Sequence, residues 1–282
     1  MFESVKMSVC ILLMKTAKTK ESFKVNFWND KFKSSGTLTC FDAEEIKAID
    51  PIGYIVPRIE TSQKQLVIKL KKLNTLPLKC FEGELNMTFH KKYFIDDKSA
   101  PKVLKGASIQ RYYITENMSQ GEIEHLNESD FLSENTGEKS QHHTMERIAM
   151  QGMTGANDKV RIIMSIVPSG YYLANSCNYL LPNDEYPAKY LIGLLNSKLI
   201  NWFFRIFSTN SNVNGYEVEQ FPLPVAQEND KQRLIHLVEQ IHNKKEINPY
   251  ADTNDIEKQI DDLVYILYGL TSNEIELIEQ AN

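Results

Sequence analysis

Residues 187–225 read PAKYLIGLLNSKLINWFFRIF followed by STNSNVNGYEVEQFPLPV, and the rest of the chain is arranged around how that stretch folds. Tyr190, Leu191, Ile192, Leu194, Leu195, Leu199, Ile200, Trp202, Phe203, Phe204, Ile206 and Phe207 make its first half apolar on almost every side. Only a stripe at spacing four is small or polar: Lys189, Gly193, Ser197, Asn201 and Arg205. A helix that is apolar nearly all round belongs in a core. Pro187 suits its first turn, where the missing N–H would have had no helical partner. A membrane span is the competing reading, but Lys198 and Arg205 would each cost roughly 2.5–3.5 kcal/mol at a bilayer centre. The stretch is therefore expected to be one buried helix, the spine of a domain outside the membrane. The Asn/Ser-rich residues that follow are too polar to bury and form a candidate contact loop, with turn capping as the alternative role for Asn210–Asn214.

Around that spine, 282 residues allow one large domain or two smaller ones. The net charge of −5 announces no polyanion partner, yet the charge is unevenly placed. Residues 61–110 hold ten Lys/Arg against four Asp/Glu, and residues 226–282 hold five against twelve. An acidic chain can still present one basic face, and the local field is what a polyanion meets. Cys10, Cys40, Cys80 and Cys177 lie far apart with no C-x-x-C pair, which fits reduced thiols in a cytoplasmic protein and argues against a zinc site. The short apolar run Val9–Met14 precedes lysines rather than a small-residue cleavage site, so no signal peptide is expected.

In chain order, residues 4–14 and 22–28 read as two strands that must complete a sheet supplied elsewhere, since two strands are not stable alone. Residues 42–49 read as a short helix capped by Asp42 and stopped before Asp50-Pro51, and residues 54–70 as strand pieces. From Leu76 to Ile114, lysines and Arg111 alternate with Phe89, Tyr93, Phe94, Tyr112 and Tyr113. Such interleaving suits a surface that tracks a nucleic-acid backbone. On the residues alone the better reading is a strand with one solvent face and one core face, since such alternation is ordinary in half-buried sheets. Residues 115–146 read as loop with one helical turn at most, and the adjacent His142-His143 as solvated loop residues. Residues 147–181 read as two or three strands with turns at Gly152–Asp158 and Pro168–Gly170. Three helices are predicted after Phe221–Pro224, over residues 229–245, 253–268 and from Thr271, where Thr271-x-x-Glu274 is a capping box.

Several chemistries find no carrier. No glycine-rich turn joins a strand to a helix, and no P-loop or Gly-x-Ser-x-Gly occurs. The tetrapeptide with which amino-methyltransferases hold a flipped base, Asn/Asp-Pro-Pro-aromatic, is approached only by Asp50-Pro51-Ile52-Gly53 and Asn248-Pro249-Tyr250. A nuclease-like set can be assembled from Glu82, Glu84 and Lys91, or Asp96, Asp97 and Lys98, but such matches arise by chance in any Lys/Glu-rich chain. No catalytic or metal-binding residue is assigned.

Four segments, in order, carry a family resemblance. They are Phe81–Asn86 with Leu104–Gly106 and Arg111-Tyr112; Arg147–Gly152 to Ala174–Ser176; Tyr190–Leu199 with the 210–224 loop; and Ile260–Leu270. Together they resemble the C-terminal target-recognition part of TaqI-like adenine-specific DNA methyltransferases and of type IIG and related type IIS restriction–modification enzymes. The resemblance implies an α+β fold, a mixed-sheet target-recognition domain with a buried helix, followed by a small C-terminal helical subdomain. It divides the chain into a remnant of the methyltransferase sheet (1–60), the recognition domain (61–225) and the helical segment (226–282). It implies double-stranded DNA and a methyltransferase catalytic domain or subunit as partners. S-adenosylmethionine, and Mg2+ for any nuclease, are implied only for that catalytic partner. Phosphate contacts are then expected from Lys91, Lys92, Lys102, Lys105, Arg111 and Arg147. Base contacts are expected from Gln151, Thr154, Asn157, Lys159 and Arg161. Two other readings stand beside this one: an assembly subunit resembling a half-length type I specificity subunit, and a stand-alone metal-dependent nuclease.

Overall fold

The computed structural model describes residues 22–28, 34–118, 121–155, 158–208 and 210–281. Its fold is α+β. The first elements are β1 (Phe23–Trp28), β2 (Ser34–Phe41), α1 (Ala43–Ile49) and α2 (Lys64–Lys71). Short strands follow: β3 (Asn74–Thr75), β4 (Cys80–Glu82), β5 (Phe94–Ile95), β6 (Lys102–Leu104), β7 (Ile109–Gln110), β8 (Tyr113–Ile114) and β9 (Glu124–Leu126). Then come α3 (Glu128–Glu134), β10 (Arg147–Gln151), β11 (Met164–Val167), β12 (Tyr172–Leu173) and β13 (Cys177–Leu180). The chain closes with α4 (Ala188–Leu195), α5 (Lys198–Phe207), α6 (Gly215–Val218), β14 (Pro222–Leu223), α7 (Glu228–Ile247), α8 (Asn254–Leu267) and α9 (Ser272–Ala281).

Two four-stranded sheets carry the middle of the chain. One is antiparallel in the order β11-β10-β13-β4, and the other has the order β12-β6-β9-β5 with β12 and β6 parallel. Strand β10 explains the layering. Ile148 and Met150 face the core shared with the helices, while Ala149 faces a second core made with Leu104, Ile109 and Leu173. A strand covered on both faces places odd and even residues in different layers. The helical core runs without a break from Phe41 and α1 through the spine to Ile278 in α9.

The spine departs from the single helix expected. It is two helices, broken at Asn196-Ser197, and the polar stripe is the reason. Ser197 caps α5 by accepting the Ile200 N–H. The fully buried Asn196 pairs with Met164 as a strand would, accepting its N–H and donating to its C=O, both at 3.0 Å. Met164 lies on the edge strand β11, so the side chain takes up its N–H and adds a second donor to its carbonyl, which also accepts the Tyr112 N–H at 3.0 Å. Gly193 brings α4 close to α7, since a Cβ there would lie 2.8 Å from Leu234.

Other expectations divide. Asp42 caps α1 in a reciprocal box with Glu45, and Thr271 and Glu274 form the second one. The Leu-Val-Ile-Lys-Leu run is a helix instead of a strand, because Leu66, Val67 and Leu70 share one buried face at helical spacing. The segment read as loop contains β9, α3 and a 3-10 turn over Glu138–Thr144. That turn buries both histidines, contrary to the solvated reading: His142 Nδ1 lies 2.8 Å from the Tyr179 hydroxyl and His143 stacks on Tyr172. The strand expected over residues 4–14 lies outside the described residues, and β1 pairs with β2. Among the described residues no helix is long and apolar enough to cross a membrane. Burial pushes the Cys80 and Cys177 thiols up to about 12, which keeps them protonated and unreactive at neutral pH.

Candidate nucleic-acid interface

The turn Ala174–Ser176 is where the proposed contact segments meet. The Ser176 carbonyl accepts the Gly152 N–H at 2.8 Å, and its hydroxyl accepts the Gly106 N–H at 2.9 Å. A Cβ on Gly106 or Gly152 would stand 2.8 or 2.9 Å from that carbonyl, so only glycine permits this approach. On the other side, Asn175 takes the Met87 N–H on its carboxamide and donates its own N–H to Leu85. The 83–92, 105–111 and 151–161 segments therefore share one edge of the fold.

The loop over residues 210–214 joins them. Thr154 N–H donates to the Ser211 carbonyl at 2.8 Å and Val213 N–H to the Gly152 carbonyl at 3.0 Å. Asn178 adds a bond to the Val213 carbonyl. The two loops that the sequence marked as candidate contact surfaces thus form one double ledge. The spine holds it from beneath: Asn201 on α5 accepts the N–H groups of Arg161 and Ile162 and donates to the Lys159 carbonyl.

This construction redistributes the expected contact residues. Arg161, 1% exposed, is internal. Its guanidinium bonds Thr154 Oγ1 at 2.8 Å and the carbonyls of Asn210 and Asn212 at 2.9 and 3.3 Å, and it lies over the Phe204 ring. Burial lowers its proton affinity, while Glu217 and Asp158 oppose that. Thr154 is buried as Arg161's partner, and Gln151 is turned inward to the Ile109 carbonyl at 2.7 Å. These three are clamps of the ledge and do not face outward. Lys159 is exposed, and Asn157 lies outside the described residues.

Among the cations, Arg147 is fully buried on the inner face of β10, paired with Glu84 and bonded to the Tyr171 carbonyl. Glu84 also accepts the Leu173 N–H at 2.9 Å, so the pair ties the two sheets together, and burial removes Arg147 from any contact surface. Arg111 bridges the Asn196 carbonyl at the spine break and Glu257 on α8, again a structural post. Lys102 pairs with Glu116 at 2.6 Å, Lys105 with Glu124 at 3.2 Å, and Lys92 with Glu134. These three are surface pairs, weak enough to be exchanged for phosphate. Lys91 is exposed and makes no ion pair among the described residues.

Of the aromatics that the sequence interleaves with cations only Phe89 is exposed, and sequence reading missed Met153 and Tyr216, two further exposed apolar side chains on or beside this edge. Nothing local distinguishes them from core residues, because their exposure is decided by which turn presents them.

Residues 101–223 match the TaqI-like C-terminal specificity domain. That span contains the hub turn, both ledge loops and the two helices of the spine. The chain also resembles a solved structure, that of the type IIL restriction–modification enzyme MmeI in complex with DNA. The likeness has a TM-score of 0.56 at 11% sequence identity and covers 94% of this chain and 41% of that one. The chain thus spans less than half the length of that enzyme. No curated protein matches it.

Proposed function

We propose that this chain is the sequence-reading module of a DNA restriction–modification system, positioning a methyltransferase catalytic part that it does not itself contain. The observation that carries the reading is the convergence of the 83–92, 105–111 and 151–161 segments on the Ala174–Ser176 turn, inside the span that matches the specificity domain, with the 210–214 loop bonded to Gly152 and Thr154. The resemblance to an enzyme solved on DNA supports it.

In this reading the ledge faces the major groove. Lys159, with the exposed Met153 and Asn212 of the two loops, meets base edges. Lys91 and the exchangeable Lys92, Lys102 and Lys105 neutralise phosphates. Arg111, Arg147, Gln151, Thr154 and Arg161 fix the geometry from behind. Among the described residues no three His, Cys, Asp or Glu side chains are grouped as metal ligands would be. On the family resemblance of the sequence, S-adenosylmethionine, Mg2+ for any nuclease, and adenine methylation are assigned to the catalytic partner in this proposal.

The test is selection of bound duplexes from a randomised DNA pool by the purified chain. Enrichment of one short motif, with affinity that falls steeply as salt rises, is expected. Failure to retain any duplex at low salt, or retention without preference, overturns the reading.

A further inference from the structure

Phe89 stands 78% exposed on a turn that the rest of the fold holds still. The Asn86 carboxamide oxygen accepts the N–H groups of Thr88 and Phe89 at 3.0 and 3.1 Å. Asn86 N–H donates to His90 Nδ1 at 3.0 Å, and His90 N–H returns to the Asn86 carbonyl at 2.9 Å. The His90 ring is seated against Phe131 and Tyr93, so the turn is anchored to the core at its far end. Met87 ties its near end to Asn175, in the hub turn of the candidate interface. Lys91 and Lys92 follow at once, and Lys139 lies close enough to act on His90 electrostatically.

A phenyl ring contributes to folding when buried, and this one is not. It is presented on a preorganised mount, among cations, next to the edge where the contact segments meet. A lone apolar side chain pushed between base steps is how many proteins kink a duplex. A rigid mount lowers the ordering cost of such an insertion. Cations beside the ring suit phosphates on either side of the step.

We propose that Phe89 is an aromatic wedge that stacks into a base step of duplex DNA at the border of the contacted site, with Lys91 on the adjoining phosphate. The proposal rests on the DNA-reading function above and adds a residue that deforms the duplex instead of reading it. Its consequence is a preference for easily unstacked pyrimidine–purine steps at a position outside the hydrogen-bonded motif.

The experiment uses the duplex enriched by the full chain from the randomised pool, resynthesised with 2-aminopurine at successive positions. Binding should raise the fluorescence at one step and leave the others unchanged. Phe89→Ala should abolish that rise and weaken binding about tenfold, the scale of one lost base–aromatic stack. Phe89→Trp should retain both, and Asn86→Ala, which keeps the ring but loosens its mount, should weaken binding by a smaller factor. The exposed position makes Phe89→Ala neutral for folding, which its thermal transition checks. If Phe89→Ala binds within twofold of the unaltered chain and gives the same rise, the wedge is overturned, whether the ring anchors a partner protein or nothing. If the unaltered chain enriches no duplex, the DNA-reading function fails and the wedge fails with it.

Discussion

Replacing Arg161 by alanine separates a base reader from a structural clamp. The side chain bonds Thr154 and two carbonyls of the facing loop, and it packs over Phe204. Hydrogen bonds from a charged donor are worth about 1.5–3 kcal/mol each, and three made by one group are not independent, so Arg161→Ala should cost about 3–4 kcal/mol. For a chain of this size that is a drop in Tm of roughly 5–7 °C. Arg161→Lys keeps a charge but not the planar fork, and should recover only part of the loss. Hydrogen exchange localises the effect: the Thr154 and Val213 amides, which join the two loops, should lose protection while β10 keeps its own. Affinity should fall for every DNA sequence alike, because the whole ledge loosens. The reasoning is refuted if Arg161→Ala leaves stability within about 0.5 kcal/mol and loop exchange unchanged while altering base preference.

Breaking the inter-sheet pair by Arg147→Met should cost about 3–5 kcal/mol by stranding Glu84, and adding Glu84→Leu should restore much of it; urea titrations of the two variants decide. Asp261, buried beside Lys198, Arg111 and Glu279, has its carboxyl pushed up to about 6 from 3.8. The folded state then holds this proton more tightly than the unfolded chain does. Stability should therefore fall as pH rises from about 4 through 6, by up to roughly 3 kcal/mol, and Asp261→Asn should flatten that slope in a pH series of melts. Glu116→Gln with Glu124→Gln frees Lys102 and Lys105, and should raise affinity for DNA at low salt and steepen its salt dependence by up to about 0.9 per added phosphate contact. Gly152→Ala should disturb the ledge, since the added carbon meets the Ser176 carbonyl; loss of Gly152 amide protection is the readout.

What could be foreseen was local. The cap at Asp42 and the box at Thr271 need only a partner three residues away, and both formed. Gly170 and Gly269 adopt the positive φ that their turn and helix stop require. What could not be foreseen depends on distant chain. Asn196 sits at the break of the spine with its carboxamide on the backbone of Met164, 32 residues earlier on an edge strand. Arg147 looked like a contact residue because its partner, Glu84, is 63 positions away. The histidines at 142 and 143 are buried by tyrosines of β13 and β12, which no window around them contains. For the site, the segments singled out in the sequence do come together, but several of the side chains named in them turn inward. Polar groups in a turn are as able to hold neighbouring backbone as to meet a ligand, and Gln151, Thr154 and Arg161 do the former.

The inward bracing of the double ledge has an evolutionary corollary. Side chains that hold it up point into the protein, so those that point away, such as Met153, Lys159 and Asn212, are spared any duty in keeping the fold upright. If the chain reads DNA as proposed, drift at those positions would rewrite which sites are chosen while the platform beneath stays the same. Such a molecule can change its vocabulary without relearning how to stand.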